Sequence, residues 1–307
     1  MKKKPTSLRR SMFMRLGFNF YDVAVTIFCV AFGLLCFYPL WYCLVASVMP
    51  YEEYVKGGLM LWFKGIDLQY YIQIFSTKVY TNSLLVSAVK TVLATALSVL
   101  VTSAMAYAVS KVHIRGMKLI NALVVFNLFF AGGLIPQYML YKSLHLTGNF
   151  WVMVLPGTLN ISYFIIMRNY FSFSVSRELE DAAMIDGCSN TKMFLRIVMP
   201  LAMPMIAVIM LYYLVTHWNV YFRALLYISD PDKYPLQLYL RNILLFDQML
   251  DMMEGDAEAL EAMTRRLQLR ASIKYGIVVV SSLPVLILYP LLQKYFAKGV
   301  MVGAVKG

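Results

Sequence analysis

Six uncharged and mostly apolar runs recur along this 307-residue chain and limit what it can fold into. The runs cover 23–51, 91–110, 119–141, 146–167, 197–222 and 275–293. The shortest has 19 residues, and a helix needs about 20 apolar residues to cross the hydrocarbon core of a bilayer. Charged residues make up only 14% of the chain, so a soluble protein with six buried helices would lack polar surface. We expect an all-α integral membrane protein with six transmembrane helices.

Basic residues are distributed unevenly between the two sides that six spans would define. One side would hold 1–22, 111–118, 168–196 and 294–307, with 16 Lys and Arg against 5 Asp and Glu. The other would hold 49–80, 142–145 and 229–274, with 10 Lys and Arg against 11 Asp and Glu. Because cytoplasmic loops are enriched in Lys and Arg, both termini and 168–196 are predicted to be cytoplasmic. A nucleic-acid-binding protein would also be basic, but its charge would not alternate with the spans, so no nucleic-acid partner is expected.

This topology divides the chain into three parts. Residues 1–22 form a basic cytoplasmic tail against lipid headgroups, 23–298 form the transmembrane domain, and 299–307 form a second cytoplasmic tail. The outward segment 229–274 contains acids followed by bases at 254–268, a charge order that the helix dipole favours. We predict a helix there, which either contacts an extracellular partner or is simply solvated.

Two neighbouring spans, the third and the fourth, contain helix-breaking residues close together. Gly132-Gly133 precede Pro136 in the third span, and Pro156-Gly157 lie close to Asn160 in the fourth. Inside a helix Gly costs about 1 kcal/mol and Pro about 3 kcal/mol. Broken helices persist in membranes where the freed backbone groups meet protein or a wet cavity. The breaks therefore indicate either a lined pathway or close packing of small residues.

The outer end of the fifth span carries a cluster of polar and aromatic side chains. Aromatic rings can cover the apolar face of a sugar, while amide and charged groups can bind its hydroxyls. An aromatic belt at the membrane interface is the alternative interpretation. The candidate pathway residues are Asn160, Tyr163, Trp218, Asn219, Tyr221 and Arg223.

The charged segment 172–199 separates the fourth and fifth spans and is predicted to hold two short helices. Ser176 can cap a first helix that begins at Arg177 and has acids in its first turn. Gly187 is placed to end it. Asn190 can cap a second helix, which we expect to continue rigidly into the fifth span, with Phe194 exposed to partners. Small side chains on the first helix, Ala182 and Ala183 among them, would let another surface approach closely.

The run from Glu180 to Gly187, followed by Phe194 and Pro200, resembles the EAA motif of ABC-importer permeases. In that family the motif forms a coupling helix that docks on an ATPase subunit. The motif usually begins with Glu, whereas this chain has Asp181 there, one methylene shorter, with Glu180 just before it. The resemblance implies these ATPase-coupling residues: Glu180, Asp181, Ala182, Ala183, Asp186, Gly187, Phe194 and Pro200.

Shorter matches extend the resemblance to the carbohydrate-uptake branch of the family. They are Asn82-Ser83-Leu84, Ala106-Tyr107-Ala108, the stretch 167–171, Trp218-Asn219 and the closing 298–303. In particular, the chain is similar to the smaller permease subunit of maltose-type and complex-polysaccharide or oligosaccharide importers. The resemblance implies a type I ABC importer permease fold in the bacterial cytoplasmic membrane.

The partners implied by the resemblance are a second homologous permease, two ATPase subunits, an extracellular solute-binding protein, an oligosaccharide substrate and membrane lipids. ATP and Mg would bind to the ATPase subunits, so this non-catalytic subunit itself needs no cofactor and no metal. ATP hydrolysis would drive alternating access, and this chain would form half of the translocation pathway.

Two other transport functions compete with this one, and a membrane scaffold is a third alternative. An ABC permease for a non-sugar solute would share the coupling segment. A proton- or ion-coupled secondary carrier usually has an acid or His relay inside its spans. Only His217 could serve as that relay here, because no Asp or Glu lies well inside a span. A scaffold would not account for the broken spans. Lys90, also within a span, should face a cavity, a partner or the interface.

Overall fold

The computed structural model describes residues 20–50, 53, 54, 56, 58, 60–111, 115–130, 132–251, 273–287 and 290. All of the regular secondary structure in these residues is helical. The helices are α1 (Phe20–Val48), α2 (Gln69–Ser76), α3 (Lys78–Ser110), α4 (Met117–Phe126), α5 (Leu134–Ser143), α6 (Ile161–Ser174), α7 (Arg177–Ile185), α8 (Asn190–Leu201), α9 (Met203–Asn219), α10 (Phe222–Tyr227), α11 (Leu236–Asp251) and α12 (Ile273–Ile287). Short 3-10 turns occur at Phe150–Met153 and Pro231–Lys233. The predicted helix at 254–268 and most of both predicted tails lie outside the described residues.

Helix α3 is the centre of the fold, and α6 and α9 pack along it. Its 33 residues extend about 50 Å, well beyond the roughly 30 Å of a hydrocarbon core. Small residues recur on its buried face at Ala94, Ser98, Thr102 and Ala106, all of them fully buried. Side chains of this size let helix backbones approach closely, which is how helices associate in a bilayer without a hydrophobic driving force.

Helix α1 stands apart from this core. Most of its large apolar side chains are exposed, among them Phe28, Leu35 and Phe37. A 29-residue helix of this composition is long enough to cross a bilayer. Its exposed surface is therefore suited to lipid or to another membrane subunit.

The interruption predicted in the third span is confirmed. Helix α4 ends at Phe126 and α5 begins at Leu134. Gly133 has a φ of 80°, a conformation that side-chain-bearing residues rarely adopt. In the fourth span the chain is also broken, but the regular helix α6 runs from Ile161 to Ser174 instead of ending near 167.

The expected rigid continuation of the coupling segment into the fifth span is wrong. Helices α8 and α9 meet at Ala202 with a bend of 84°. Pro200 and Pro204 explain the bend, because each lacks an amide hydrogen and its ring clashes with the carbonyl one turn earlier. A π-helical turn at Phe194–Val198 lies before the bend, as helix distortions of this kind often do.

Among the residues that the structure describes, two helices, α1 and α3, are long and apolar enough to span a membrane, and α8 with α9 adds a third span if the bent pair is counted as one. The other apolar segments are shorter or broken: α4, α5, the stretch leading into α6, and α12. The all-helical class is confirmed.

Candidate functional site

Helix α7 is a short helix with a defined start and end. Ser176 Oγ accepts a hydrogen bond from the Leu179 amide at 3.4 Å. At the other end, Gly187 has a φ of 74°, its amide donates to the Met184 carbonyl at 3.0 Å, and the Cys188 amide donates to the Ala183 carbonyl at 2.9 Å. This pair of bonds is a Schellman motif, which needs a left-handed residue where Gly187 lies. The predicted start and glycine stop of this helix are both confirmed.

The next helix is capped one residue earlier than expected. Ser189 Oγ, and not the side chain of Asn190, accepts the bond from the Lys192 amide at 3.4 Å. A residue on either side of a helix start can serve as cap when both have short polar side chains, so the sequence leaves this choice open.

The two faces of α7 have different surroundings. Glu180 and Ala183 are buried against the rest of the chain, with 5% and 8% of their surface exposed. Asp181, Ala182 and Asp186 are exposed on the opposite side. The expected contact face of Ala182 and Ala183 is therefore split, because consecutive helix positions lie about 100° apart. Ala183 packs within this subunit, and only Ala182 is available to a partner.

Two apolar side chains within the motif run, neither of them among the predicted coupling residues, are largely exposed. Ile185 is 86% exposed and Met184 is 52% exposed. Exposed apolar side chains at the end of a charged helix are typical of a contact surface. The sequence contains the signal, since these residues interrupt a polar segment, but helical spacing alone does not tell whether they face inward or outward.

Glu180 is held by the C-terminal end of α3 and the residue that follows it. Its carboxylate accepts a hydrogen bond from the Tyr107 hydroxyl at 3.0 Å and forms an ion pair with Lys111. The Lys111 ammonium lies 4.5 Å from the centre of the Tyr107 ring. Phe194 stacks on the same ring with centroids 5.4 Å apart. Phe194 is thus half-buried, and the expectation that it is exposed to partners is wrong. We call Tyr107, Lys111, Glu180 and Phe194 the coupling latch.

A cavity of about 450 Å³ adjoins the coupling latch. It is bounded by α3, α7, α8 and the start of α4, and its walls are mostly apolar. Met184 and Met193 contribute flexible side chains to it, and methionine adapts its shape easily. The packing beneath α7 therefore has room to change when α7 moves.

The six candidate pathway residues do not form one surface. Trp218 is buried, with 4% of its surface exposed, and its indole donates to the Ser281 carbonyl at 2.8 Å. This hydrogen bond joins α9 to α12, so Trp218 stabilises the packing of the two helices. Arg223 donates to the Pro156 carbonyl and occupies the space beside Gly157. That space exists because residue 157 has no side chain.

Three other candidates lie close to one another: Asn219 is on α9, and Asn160 and Tyr163 are at the start of the neighbouring helix α6. Asn160 accepts from the Tyr163 amide at 3.2 Å and so begins α6. The Tyr163 hydroxyl lies 3.2 Å from Thr216 Oγ1, and the Tyr163 ring stacks on Tyr212 at 5.5 Å. Asn219 is exposed one turn beyond Thr216. The face formed by Tyr163, Tyr212, Thr216 and Asn219 is polar and aromatic, and we call it the α9 face.

The α9 face is fixed from behind by buried hydrogen bonds to α3. Tyr213 OH lies 2.6 Å from Thr102 Oγ1 and receives a bond from the Asn160 amide at 2.9 Å. His217 Nε2 lies 3.0 Å from Ser98 Oγ. This bond occupies the only His that could have acted as a relay. Within the described residues, no group of His, Cys, Asp and Glu is arranged to hold a metal ion.

Lys90 also falls inside a predicted span, and only 1% of its surface is exposed. Its ammonium donates to the Val220 carbonyl at 3.1 Å, where α9 ends. A cation is favoured at a helix C-terminus because several carbonyls there have no partner within the helix. Lys90 therefore faces the protein interior and not the interface.

Comparison with known proteins assigns a class to this architecture. Residues 119–302 match the family described as "Binding-protein-dependent transport system inner membrane component". The chain belongs to this family and is a membrane transport subunit, not an enzyme.

The most informative individual comparisons agree with that class. The chain is 38% identical over 94% of its length to the polygalacturonan/rhamnogalacturonan transport system permease protein YtcP of Bacillus subtilis, of which 98% is covered. It is 25% identical over 94% of its length to the arabinooligosaccharides transport system permease protein AraQ of the same organism, covering 98% of it. Among solved structures, a bacterial ABC transporter involved in the import of the acidic polysaccharide alginate superposes with a TM-score of 0.80 at 27% identity, covering 95% of this chain and 100% of the other.

Proposed function

We propose that this chain is one of two permease subunits of an ATP-driven oligosaccharide importer in the bacterial cytoplasmic membrane. The relatives support an oligosaccharide, because the names of YtcP and AraQ specify oligomeric or polymeric carbohydrates. A second permease would cover the exposed surfaces of α1 and the α9 face, two ATPase subunits would bind ATP and Mg in the cytoplasm, and an extracellular binding protein would deliver the substrate.

The proposed topology has six spans and cytoplasmic termini. The spans are α1, α3, the broken pair α4 and α5, the broken stretch ending in α6, the bent pair α8 and α9, and the segment that includes α12. The interruptions are acceptable where they face protein or an aqueous pathway. Supporting this topology, Lys and Arg are concentrated in the segments that it places in the cytoplasm.

The observation that carries the proposal is the two-sided coupling helix. Glu180 and Ala183 fasten α7 to this subunit, while Asp181, Ala182 and Ile185 project away from it. A helix fastened on one side and free on the other can transmit the movement of a docked ATPase to α3. Such movement can bias the pathway only if the ATPase contacts differ between the inward-open and outward-open states.

A substitution on the free face tests the proposal. In Ala182→Arg, a long charged side chain replaces a methyl group at the proposed contact, and we expect oligosaccharide uptake by cells to fall at least about tenfold, since misplaced interface charges cost several kcal/mol. Uptake of labelled arabinotriose and trigalacturonate would be measured, with membrane levels of both permeases and co-purification of the ATPase.

The matched control is Ser143→Arg, which introduces the same side chain at the exposed last residue of α5. It should leave uptake within about twofold, as surface substitutions usually change stability by no more than about 0.5 kcal/mol. Normal uptake and normal ATPase co-purification with Ala182→Arg would rule out docking through this face.

A further inference from the structure

Three basic side chains lie around the outer end of α9, and in the described part of the chain none of them forms an ion pair with a carboxylate. Lys90 binds the Val220 carbonyl, Arg223 binds the Pro156 carbonyl, and the Arg241 guanidinium lies 5.7 Å from the centre of the Tyr221 ring. The ion pairs found in the described part of the chain lie elsewhere. They are Lys56–Glu53, Lys111–Glu180 and Lys233–Asp230.

The charge of this group is poorly screened. Arg223 is half-buried, and the Pro156 carbonyl satisfies one of its hydrogen bonds but leaves its positive charge in place. Lys90 is almost fully buried and contributes its hydrogen bond to Val220. Where protein replaces water the field of a charge reaches further, so this end of α9 attracts anions.

Two exposed groups with different chemistry flank Val220, whose carbonyl accepts the hydrogen bond from Lys90. Asn219 and Tyr221 are both exposed, and each is next to Val220 in the chain. An amide can bind sugar hydroxyls, an aromatic ring can cover the apolar face of a sugar, and a guanidinium can bind a carboxylate through two parallel hydrogen bonds. A uronic acid residue has all three complementary features.

We propose that the outer end of α9, formed by Asn219, Tyr221, Arg223 and Arg241, selects acidic oligosaccharides by attracting their carboxylates. The proposal rests on the importer function proposed above and adds the charge of the substrate. Arg241 makes the direct contact because it is partly exposed, whereas the half-buried Arg223 supplies the background potential.

The test compares two probes that differ mainly in charge. Uptake of trigalacturonate and of its fully methyl-esterified form would be measured in cells that carry the complete importer. The wild-type chain should favour the acid, and Arg241→Gln should lower the acid-to-ester uptake ratio about fivefold to tenfold. Arg241→Lys, which keeps the charge, should recover much of the ratio. Because the binding protein is the same in every strain, changes in the ratio report on this subunit.

The charge control is Lys78→Gln, which removes one exposed cation at the start of α3 and should keep the ratio within about twofold. Equal loss of both probes with Arg241→Gln, or a wild-type preference for the ester, overturns the charge selection while leaving the importer function intact. Uptake of arabinotriose without uptake of trigalacturonate would likewise overturn the charge selection and leave the importer function intact. If none of the three sugars enters through the wild-type importer, the oligosaccharide function itself fails.

Discussion

Two neighbouring acids in the coupling segment have opposite roles at the residue scale. Glu180 points into the subunit and is held by Lys111 and Tyr107, whereas Asp181 is exposed. The motif alone suggests that Glu180 could replace the missing Glu at position 181. Its engagement in the coupling latch leaves Asp181 as the acid that faces outward.

The coupling latch gives a prediction about stability. Glu180→Gln leaves the partly buried Lys111 without its counter-ion, and breaking a largely buried pair in this way should cost about 3 kcal/mol. The loss would be measured by thermal or denaturant unfolding of the purified importer. The double variant Lys111→Glu with Glu180→Lys should recover part of it.

Asp181→Asn is the matched control for the coupling latch, because it neutralises the adjacent exposed acid and should change stability by no more than about 0.5 kcal/mol. Equal stability of Glu180→Gln and Asp181→Asn would show that the ion pair does not fasten α7.

At the scale of elements, the bend between α8 and α9 determines how α7 is connected to the pathway. Ala202 is fully buried at the bend and lies in the same apolar cluster as Ala183 and Phe164. If docking moves α7 as proposed, the movement would be transmitted through side-chain packing around the bend and through the coupling latch, and not along one straight helix. Packed elements of this kind change between discrete arrangements.

A larger side chain at the bend should disturb this packing. Ala202→Leu adds three carbons at a site with no exposed surface, and overpacking of this kind costs about 1–3 kcal/mol. We expect a lower unfolding temperature for the importer and weaker coupling of ATP hydrolysis to uptake. Leu201→Ala is the control, because Leu201 is 50% exposed. Similar effects of the two substitutions would argue against a special role for the bend.

At the scale of the whole molecule, the proposed six-span topology places the end of α5 and the end of α6 on opposite sides of the membrane. In a chain without its native cysteines, Ser143→Cys should react with a membrane-impermeant maleimide in intact cells. Ser174→Cys should react only in inside-out vesicles. Both positions are exposed, so a lack of reaction would not result from burial in this subunit. Labelling of both sites from the same side would contradict the topology.

The coupling segment shows how far local signals extend. Ser176 as cap, Gly187 as stop and the break before α5 follow from backbone chemistry that nearby residues decide. The candidate pathway residues show where local sequence signals no longer predict the structure. Trp218 and Asn219 are adjacent and equally plausible as pathway residues, yet one binds Ser281 in the core and the other is exposed. That difference depends on α12, more than 60 residues away in the chain.

The sequence by itself determined the class of this protein, because long uncharged runs, the charge distribution and the coupling motif are each local or compositional. Only the tertiary structure decided which side of each element is available. It turned Glu180 and Ala183 inward, bent the chain at Ala202 and brought Lys90, Arg223 and Arg241 around the end of α9. The physical reason is that burial and electrostatic contact depend on the approach of distant segments, which helical periodicity within one segment cannot specify.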